Sequence, residues 1–357
     1  MQKTKILFIS HTFPPITGGV ENQNYELSVW LGKISNLTLL ANRKRWLIPF
    51  FLPYATLRAV FSARKYDTIL LGSGLLGIVG WSVKKLTRKP VIAVLHGLDL
   101  TWQNSLYQKL WVKNFIPSLD KLICVGNETV RVAKEKGLAE NKIIFIPNGV
   151  DTEKNLGSYS RADLEKVLGL GLENKKVILT SGRLAKRKGV AWFIQNTLPK
   201  LPENILYVVA GDGPDKETIL EAIRETNAEN RVKMLGYVPD ETRNILLNTA
   251  DLFIQPNIKI EGDMEGFGLS VIEASACRLP VIASRLEGLQ DAIIDGQNGF
   301  LVASGGAEGF VDKIAQMLNN EAFRKEFGEK ARQFTIEHYS WEIIAKKYAE
   351  VIKSIKP

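Results

Sequence analysis

Between Pro256 and Arg278 the chain reads PNIKIEGDMEGFGLSVIEASACR. Glu261, Asp263 and Glu265 lie in a polar loop, Gly266-Phe267-Gly268 forms a turn, and a short apolar helix carrying Leu269 and Glu273 is predicted to follow. The free N–H groups at such a helix start attract an anion or a sugar hydroxyl, which suits a phosphorylated carbohydrate. A second charged cluster, Ser181-Gly182-Arg183-Leu-Ala-Lys186-Arg187-Lys188-Gly189, follows a predicted strand. There Arg183 offers a planar fork and Lys188 a point charge, a combination that can chelate a diphosphate, while Lys186 and Arg187 are expected to be solvated. Gly18-Gly19 stands between the first strand and its helix, where the backbone can approach a phosphate closely. His96-Gly97 and Asp99 follow a buried strand, a good place for a ligand contact. Taken singly, each feature also has a plain reading: a turn, a solvated glutamate, a basic surface loop, a helix start, a structural histidine. The first strand-loop-helix carries no G-x-G-x-x-G sequence, which weakens a nicotinamide or flavin reading of it.

Read together, these segments resemble the family 4 retaining glycosyltransferases. EGFGLSVIEA resembles the family's paired-glutamate motif, and PPITGGVE, VLHGLD, PNGVD, GRLAKRKG and LGYVPD resemble further family signatures in chain order. The resemblance implies that Glu265 lies near the donor sugar and Glu273 holds the nucleotide ribose. It also implies that Gly266, Phe267, Gly268 and Leu269 present the helix start to the donor, and that Arg183 and Lys188 neutralise the leaving nucleoside diphosphate. Gly18 and Gly19 would border that diphosphate, His96 would reach the donor sugar from the opposite domain, and the Tyr237-Val238 loop would accept the base through its backbone. The implied reaction retains anomeric configuration, with the departing phosphate taking the acceptor's proton on the same face. No general base is evident. Asp263-Met264-Glu265 superficially looks like a metal-binding D-x-D, but arginine, lysine and helix dipoles suffice for a diphosphate, so no metal and no cofactor is expected. The His338-Tyr-Ser-Trp341-Glu342 and IEGDMEGFG segments look most like mannosyltransferases acting on lipid acceptors, which makes GDP-mannose the first donor expected and a UDP-hexose the second.

Short apolar runs alternating with helical or loop segments must position these residues. Strands are predicted at 5–10, 37–41, 67–71, 91–95, 121–125 and 142–146, and again at 176–180, 205–210, 231–235, 251–255, 280–283 and 299–302. This rhythm predicts α/β architecture with two parallel, doubly wound, Rossmann-like domains. In the implied GT-B fold they face a cleft. Residues 1–158 are read as the acceptor-binding domain, 159–338 as the nucleotide-sugar domain, and 339–357 as a helix crossing back to the first. The Ala210-Gly-Asp-Gly-Pro214 loop is read as structural.

The chain has 357 residues, 45% hydrophobic and 24% charged, enough for two globular domains. Cys124 and Cys277 lie far apart in apolar surroundings, which points to buried thiols in a reducing compartment. The three histidines do not make a convincing zinc site, no signal peptide is evident, and the apolar, glycine-containing run from Thr68 to Val83 is too short to span a bilayer. A cytoplasmic protein is expected. Residues 1–150 hold 20 Lys and Arg against 8 Asp and Glu, while the remainder holds 27 against 30. A basic half of this kind serves nucleic acid, an anionic membrane or a phosphorylated substrate.

The segment 42–66, NRKRWLIPFFLPYATLRAVFSARKY, interleaves cations with aromatics. One reading places it peripherally on the inner face of an anionic membrane, with Trp46, Phe50 and Phe51 in the interface and Arg43, Lys44 and Arg45 on headgroups. The other makes it an ordinary surface segment with core-facing aromatics, Pro49 and Pro53 breaking any long amphipathic helix. The family's lipid-linked acceptors tilt the balance slightly to the membrane. Expected partners are thus a nucleotide-diphosphate sugar, a glycan or lipid-linked acceptor and an anionic membrane surface, with no nucleic acid. Two rivals remain: a glycoside hydrolase, for which a diphosphate clamp has no purpose, and a non-enzymatic membrane or nucleic-acid binding protein using the basic half.

Overall fold

The computed structural model describes residues 3–16 and 18–355. The chain divides into two compact units, the first running to Gly149 and taking in the segment from Trp341 onward, the second spanning Val150–Ser340.

The first unit holds β1 (Lys5–Ser10), β2 (Asn36–Ala41), β3 (Thr68–Leu71), β4 (Val91–Leu95), β5 (Lys121–Cys124) and β6 (Ile143–Phe145) in one parallel sheet, ordered β2-β1-β3-β4-β5-β6. Because helices cover both faces, β1 reads as a nearly continuous apolar run. Its side chains alternate: Ile6 and Phe8 share a core with Leu27 and Leu31 of the helix Gly19–Ile34 and with Trp341, Ile344 and Tyr348 of the last helix, Trp341–Ser354. Leu7 and Ile9 face the other core, built with the helices Ile48–Ser62 and Gly77–Thr87.

The second unit repeats the plan with β7 (Lys176–Ser181), β8 (Ile205–Ala210), β9 (Val232–Gly236), β10 (Leu252–Gln255), β11 (Val281–Arg285) and β12 (Phe300–Ala303), ordered β12-β11-β10-β7-β8-β9 and all parallel. Its first helix, Arg161–Leu168, starts at a Ser160–Asp163 capping box and ends at Gly169 with φ +67°. In each sheet the strand order reverses once, between β1 and β3 and between β7 and β10. Ligands of open parallel sheets bind outside the carboxyl ends of the strands at such a reversal.

The unit boundary precedes the expected residue 158. Val150 donates its N–H to the Tyr339 carbonyl at 2.8 Å and packs among Leu164, Phe253 and Val271, and the Asn155 carbonyl accepts from Asn248 at 2.7 Å. The glycine- and serine-containing stretch at 157–160 marks a helix start, whereas packing changes earlier. The second boundary falls after Ser340 rather than 338, because the Tyr339 hydroxyl donates to the Asp291 carbonyl at 2.8 Å inside the second unit.

The 42–66 segment corrects two expectations. Its prolines do not break the helix: Ile48–Ser62 is continuous, with Pro49 in the first turn, where its missing N–H has no partner to lose, and Pro53 just beyond it. Phe51 does not face outward, since it is 8% exposed and packs into the core with Ala55, Ala59 and Ala63. Phe50, Tyr54, Leu57 and Phe61 take the opposite face at helical spacing and are exposed, as is Trp46. Among the described residues, Arg45–Lys65 is the one helical stretch long and apolar enough to cross a membrane by length and composition. The burial of its Phe51–Ala63 face in the core argues for a helix of the unit that offers its other face.

Candidate functional site

At the strand-order reversal of the second unit, the loop after β7 meets the loop after β10. Gly189, at φ +67°, lies so close to the Pro256 carbonyl that a Cβ there would stand 2.0 Å from its oxygen, so only glycine permits this approach. Gly211 and Gly213 press in the same way on the Gly182 and Leu184 carbonyls, which gives the Ala210–Pro214 loop a supporting role beneath Arg183.

This approach assembles a charged cluster. Lys188 Nζ lies 2.6 Å from Glu265 Oε2, Arg187 Nε 3.6 Å from the same oxygen, and an Arg187 terminal nitrogen 3.4 Å from Asp263. Asn257 donates to Glu265 at 3.1 Å, and Gln255 donates to Asn257 at 2.8 Å. Glu265 is only 7% exposed. Burial alone pushes its carboxyl up, but Lys188, Arg187 and the hydrogen bonds from Lys188 and Asn257 outweigh that, holding it ionised below the usual carboxylate range. Arg187 was expected to be solvated. It is instead drawn inward because the acidic loop folds over it, while Lys186 stays exposed. Arg183 is exposed, and its guanidinium has no hydrogen-bond or ion-pair partner among the described residues.

The backbone of Glu265 is fixed as well: its N–H donates to Glu287 Oε2 at 2.7 Å, and the Gly288 N–H donates to its carbonyl at 3.1 Å. Gly266 and Phe267 pack so tightly on Gly288 that a Cβ at 288 would meet them at 2.5–2.6 Å. Phe267 is buried against Tyr339, and Gly268, at φ +81°, opens the helix Leu269–Ala276. One turn into that helix, Glu273 pairs with Arg243 at 3.0 Å. Arg243 lies on the helix Asp240–Thr249, which follows the Tyr237-Val238 loop; Tyr237 is 82% exposed and Val238 half-buried. The structure therefore brings Lys188 to Glu265, and Glu273 to the helix beside the Tyr237 loop.

The first unit carries its own site at the β1/β3 reversal. Gly18 and Gly19 start the helix Gly19–Ile34; Thr17 of their loop lies outside the described residues. His96 Nε2 is 3.0 Å from the Gly72 carbonyl, which can only accept, so the proton sits on Nε2. The His96 backbone N–H donates to Asp99 at 2.8 Å. From β1's end, His11 Nδ1 lies 2.7 Å from Ser73 Oγ, so two histidines flank the Gly72-Ser73 step on either side. Burial lowers the His11 pKa and nearby His96 adds to the effect, against the opposing pull of Asp99 and Glu21. These groups line a cavity of about 480 Å³ whose other walls include Leu98 and Trp102.

Sequence reasoning missed Arg187, Asn257, Glu287, Arg243 and His11 as site residues. Asn257, two residues past β10 at the reversal, carried a positional signal; the ion pairs of Arg187 and Arg243 join residues distant in sequence and carried none. Among the described residues, no group of three or more His, Cys, Asp or Glu side chains is arranged to hold a metal ion. A hydrolytic pair of carboxyls needs one acid held protonated by a raised pKa, whereas Glu265 is held ionised.

The family model described as Glycosyl transferases group 1 matches residues 166–334, and that described as Glycosyltransferase Family 4 matches residues 16–154. An uncharacterized glycosyltransferase of Methanocaldococcus jannaschii is 25% identical over 85% of this chain and 82% of its own length. The GDP-mannose-dependent alpha-(1-6)-phosphatidylinositol monomannoside mannosyltransferase of Mycolicibacterium smegmatis is 23% identical over 97% of this chain and 98% of its own. Among solved structures, Anabaena HepE in complex with UDP superposes with a TM-score of 0.79 at 22% identity, covering 98% of this chain and all of that one.

Proposed function

Because the chain belongs to the family 4 glycosyltransferases of the GT-B type, we propose that it is a retaining hexosyltransferase that moves a hexose from a nucleoside diphosphate to a hydroxyl of a glycan or lipid-linked acceptor, without a metal. The observation that carries this reading is the cluster at the β7/β10 reversal, where Lys188 and Arg187 converge on the Glu265 loop immediately before a helix start. A diphosphate entering there finds cations and open amide N–H groups, the preorganised charge that stabilises a leaving phosphate. Exposed Arg183 extends that field. In this reading Glu273, held by Arg243, accepts the ribose hydroxyls, and Glu265 faces the sugar. The departing phosphate takes the acceptor's proton on the same face, so the protein supplies position and charge rather than a base.

GDP-mannose is the first donor and a UDP-hexose the second; the mycobacterial relative is GDP-mannose-dependent and the HepE structure contains UDP. The cavity of His11 and His96 would take sugar hydroxyls, with apolar Leu98 and Trp102 beside them. The protein works in the cytoplasm, on the inner face of an anionic membrane that it meets through the exposed Phe50–Phe61 stripe and its flanking cations. A thermal-shift series with GDP, UDP and ADP tests the donor reading, since a ligand of the native state raises stability with its affinity. GDP should stabilise most. Stabilisation by none of the three would overturn the proposal. The anomeric configuration of the product, read by NMR, tests retention.

A further inference from the structure

Among the described residues, five other than glycine hold a left-handed backbone: Arg88, Asn174, Asn227, Arg278 and Glu287. Two are asparagines, which tolerate that conformation, and Arg88 and Arg278 stand at the ends of the helices Gly77–Thr87 and Leu269–Ala276, where a left-handed residue terminates the helix. Glu287, at φ +46°, belongs to neither group, since it follows the strand β11 and no helix ends there. A glycine would take this conformation without strain. Strain of this kind persists only where the surroundings over-determine it, and it clusters at functional sites. Here the side chain supplies the constraint. Glu287 Oε2 accepts from the Glu265 N–H at 2.7 Å, while the N–H of the next residue, Gly288, donates to the Glu265 carbonyl at 3.1 Å. Two successive residues of one turn thus hold both backbone polar groups of Glu265. Its carboxylate is held separately by Lys188 and Asn257, so Glu287 sets the backbone position from which that carboxylate reaches them.

We propose that Glu287 is a positioning residue for sugar transfer: from its left-handed backbone it fixes the Glu265 peptide, and so sets where the Glu265 carboxylate meets the donor sugar. The proposal rests on the reading above in which Glu265 faces that sugar. Glu287 acts through Glu265 rather than on the donor. A backbone N–H bonded to a carboxylate is a charge-assisted contact, stronger than a neutral one, and a misplacement of about 1 Å near the chemistry costs up to about a hundredfold in rate. Strain and tether can be separated experimentally, because alanine at 287 removes only the tether whereas glycine removes both.

The test compares Glu287→Gly, Glu287→Ala and Glu287→Gln in the whole protein. With GDP-mannose and UDP-glucose as donors, kcat should fall about tenfold to a hundredfold in Glu287→Gly and Glu287→Ala alike, while thermal stabilisation by bare GDP or UDP stays as in the wild type. Glu287→Gln should retain most of the rate, because its amide oxygen still accepts from the Glu265 N–H. Melting temperatures should follow a different order, with Glu287→Gly above Glu287→Ala, which keeps the strain. A second measurement needs no donor. In a double-mutant cycle with Glu265→Gln, read by chemical denaturation, Glu287→Gly should shrink the effect of Glu265→Gln on the unfolding equilibrium constant by at least about threefold. Turnover that tracks melting temperature across the three variants, wild-type kcat in Glu287→Gly, or additive effects in the cycle overturns the proposal and leaves the transferase reading standing. Coupling in the cycle from a wild type that turns over neither donor supports the hold of Glu287 on Glu265 and overturns the donor reading.

Discussion

Lys188 Nζ sits 2.6 Å from Glu265 Oε2, and this ion pair joins the loop after β7 to the loop after β10. Both side chains are about nine-tenths buried. The lysine proposed to hold a diphosphate is therefore already partnered by the carboxylate proposed to face the sugar, and an incoming phosphate competes with Glu265 for it.

Lys188→Ala and Arg183→Ala should separate activity from stability. Each removes a cation from the proposed diphosphate site, where such donors are worth about 2.7–4 kcal/mol, so donor turnover should fall roughly 100- to 1,000-fold in both. Only Lys188→Ala strands a buried carboxylate, costing on the order of 1–3 kcal/mol because Arg187 and Asn257 remain as partners. Its melting temperature should drop while that of Arg183→Ala stays at the wild-type value. Near wild-type turnover in both would remove the clamp assignment.

The same pair sets a pH dependence. The Glu265 carboxyl is lowered in the folded protein from its ordinary 4.5, so the unfolded state binds its proton first as pH falls. Its contribution is fully present above about pH 4.5 and is lost as pH falls through the lowered folded value. Chemical denaturation of wild type and Glu265→Gln should show a constant stability difference at pH 5–8 that shrinks below pH 4.5. A difference that grows on acidification would contradict the sign.

All twelve strands were legible from the sequence because each is a short apolar run bounded by polar or turn residues, and β1, β4 and β8 fall at the expected residues. Local spacing also drew attention to Glu265, Glu273 and Lys188, of which the structure joins Lys188 to Glu265 at 2.6 Å. Arg187 was misread because its burial comes from the acidic loop some seventy residues on, a long-range event that local polarity does not report. Val150 was assigned to the wrong unit for a related reason: its partner, Tyr339, lies at the far end of the second unit. Pro53 misled in the opposite direction, since local propensity argued for a break that core packing of Phe51, Ala55 and Ala59 overrides.

Glu273→Ala should weaken binding of bare nucleotide, whereas Glu265→Ala should spare it and damage sugar-dependent steps. Arg243→Ala should follow Glu273→Ala in direction and less in size, because it frees the carboxylate that it now positions at 3.0 Å. Calorimetry with GDP and UDP, beside donor turnover, reads the split. Equal losses of bare nucleotide affinity in Glu265→Ala and Glu273→Ala would refute it.

The exposed stripe decides whether the acceptor is met in solution or at a membrane. Phe50, Tyr54, Leu57 and Phe61 form one exposed helix face, with Arg43, Lys44 and Arg45 before it and Arg64 and Lys65 after it. An interfacial helix would bury those rings among acyl chains while the cations meet headgroups, so cosedimentation should require anionic vesicles and weaken as salt shortens the Debye length to about 10 Å at 0.1 M. Each basic residue near such a surface contributes about 1 kcal/mol, so replacing Arg43, Lys44 and Arg45 by Gln should lower vesicle affinity by roughly two orders of magnitude and leave nucleotide binding intact. Phe50→Ser with Phe61→Ser should lower it at every salt concentration, because the loss is apolar. Phe51→Ser, whose ring is in the core, should instead lower the melting temperature. Equal partitioning to neutral and anionic vesicles, or a triple variant that binds like wild type, would show that the stripe does not serve a membrane.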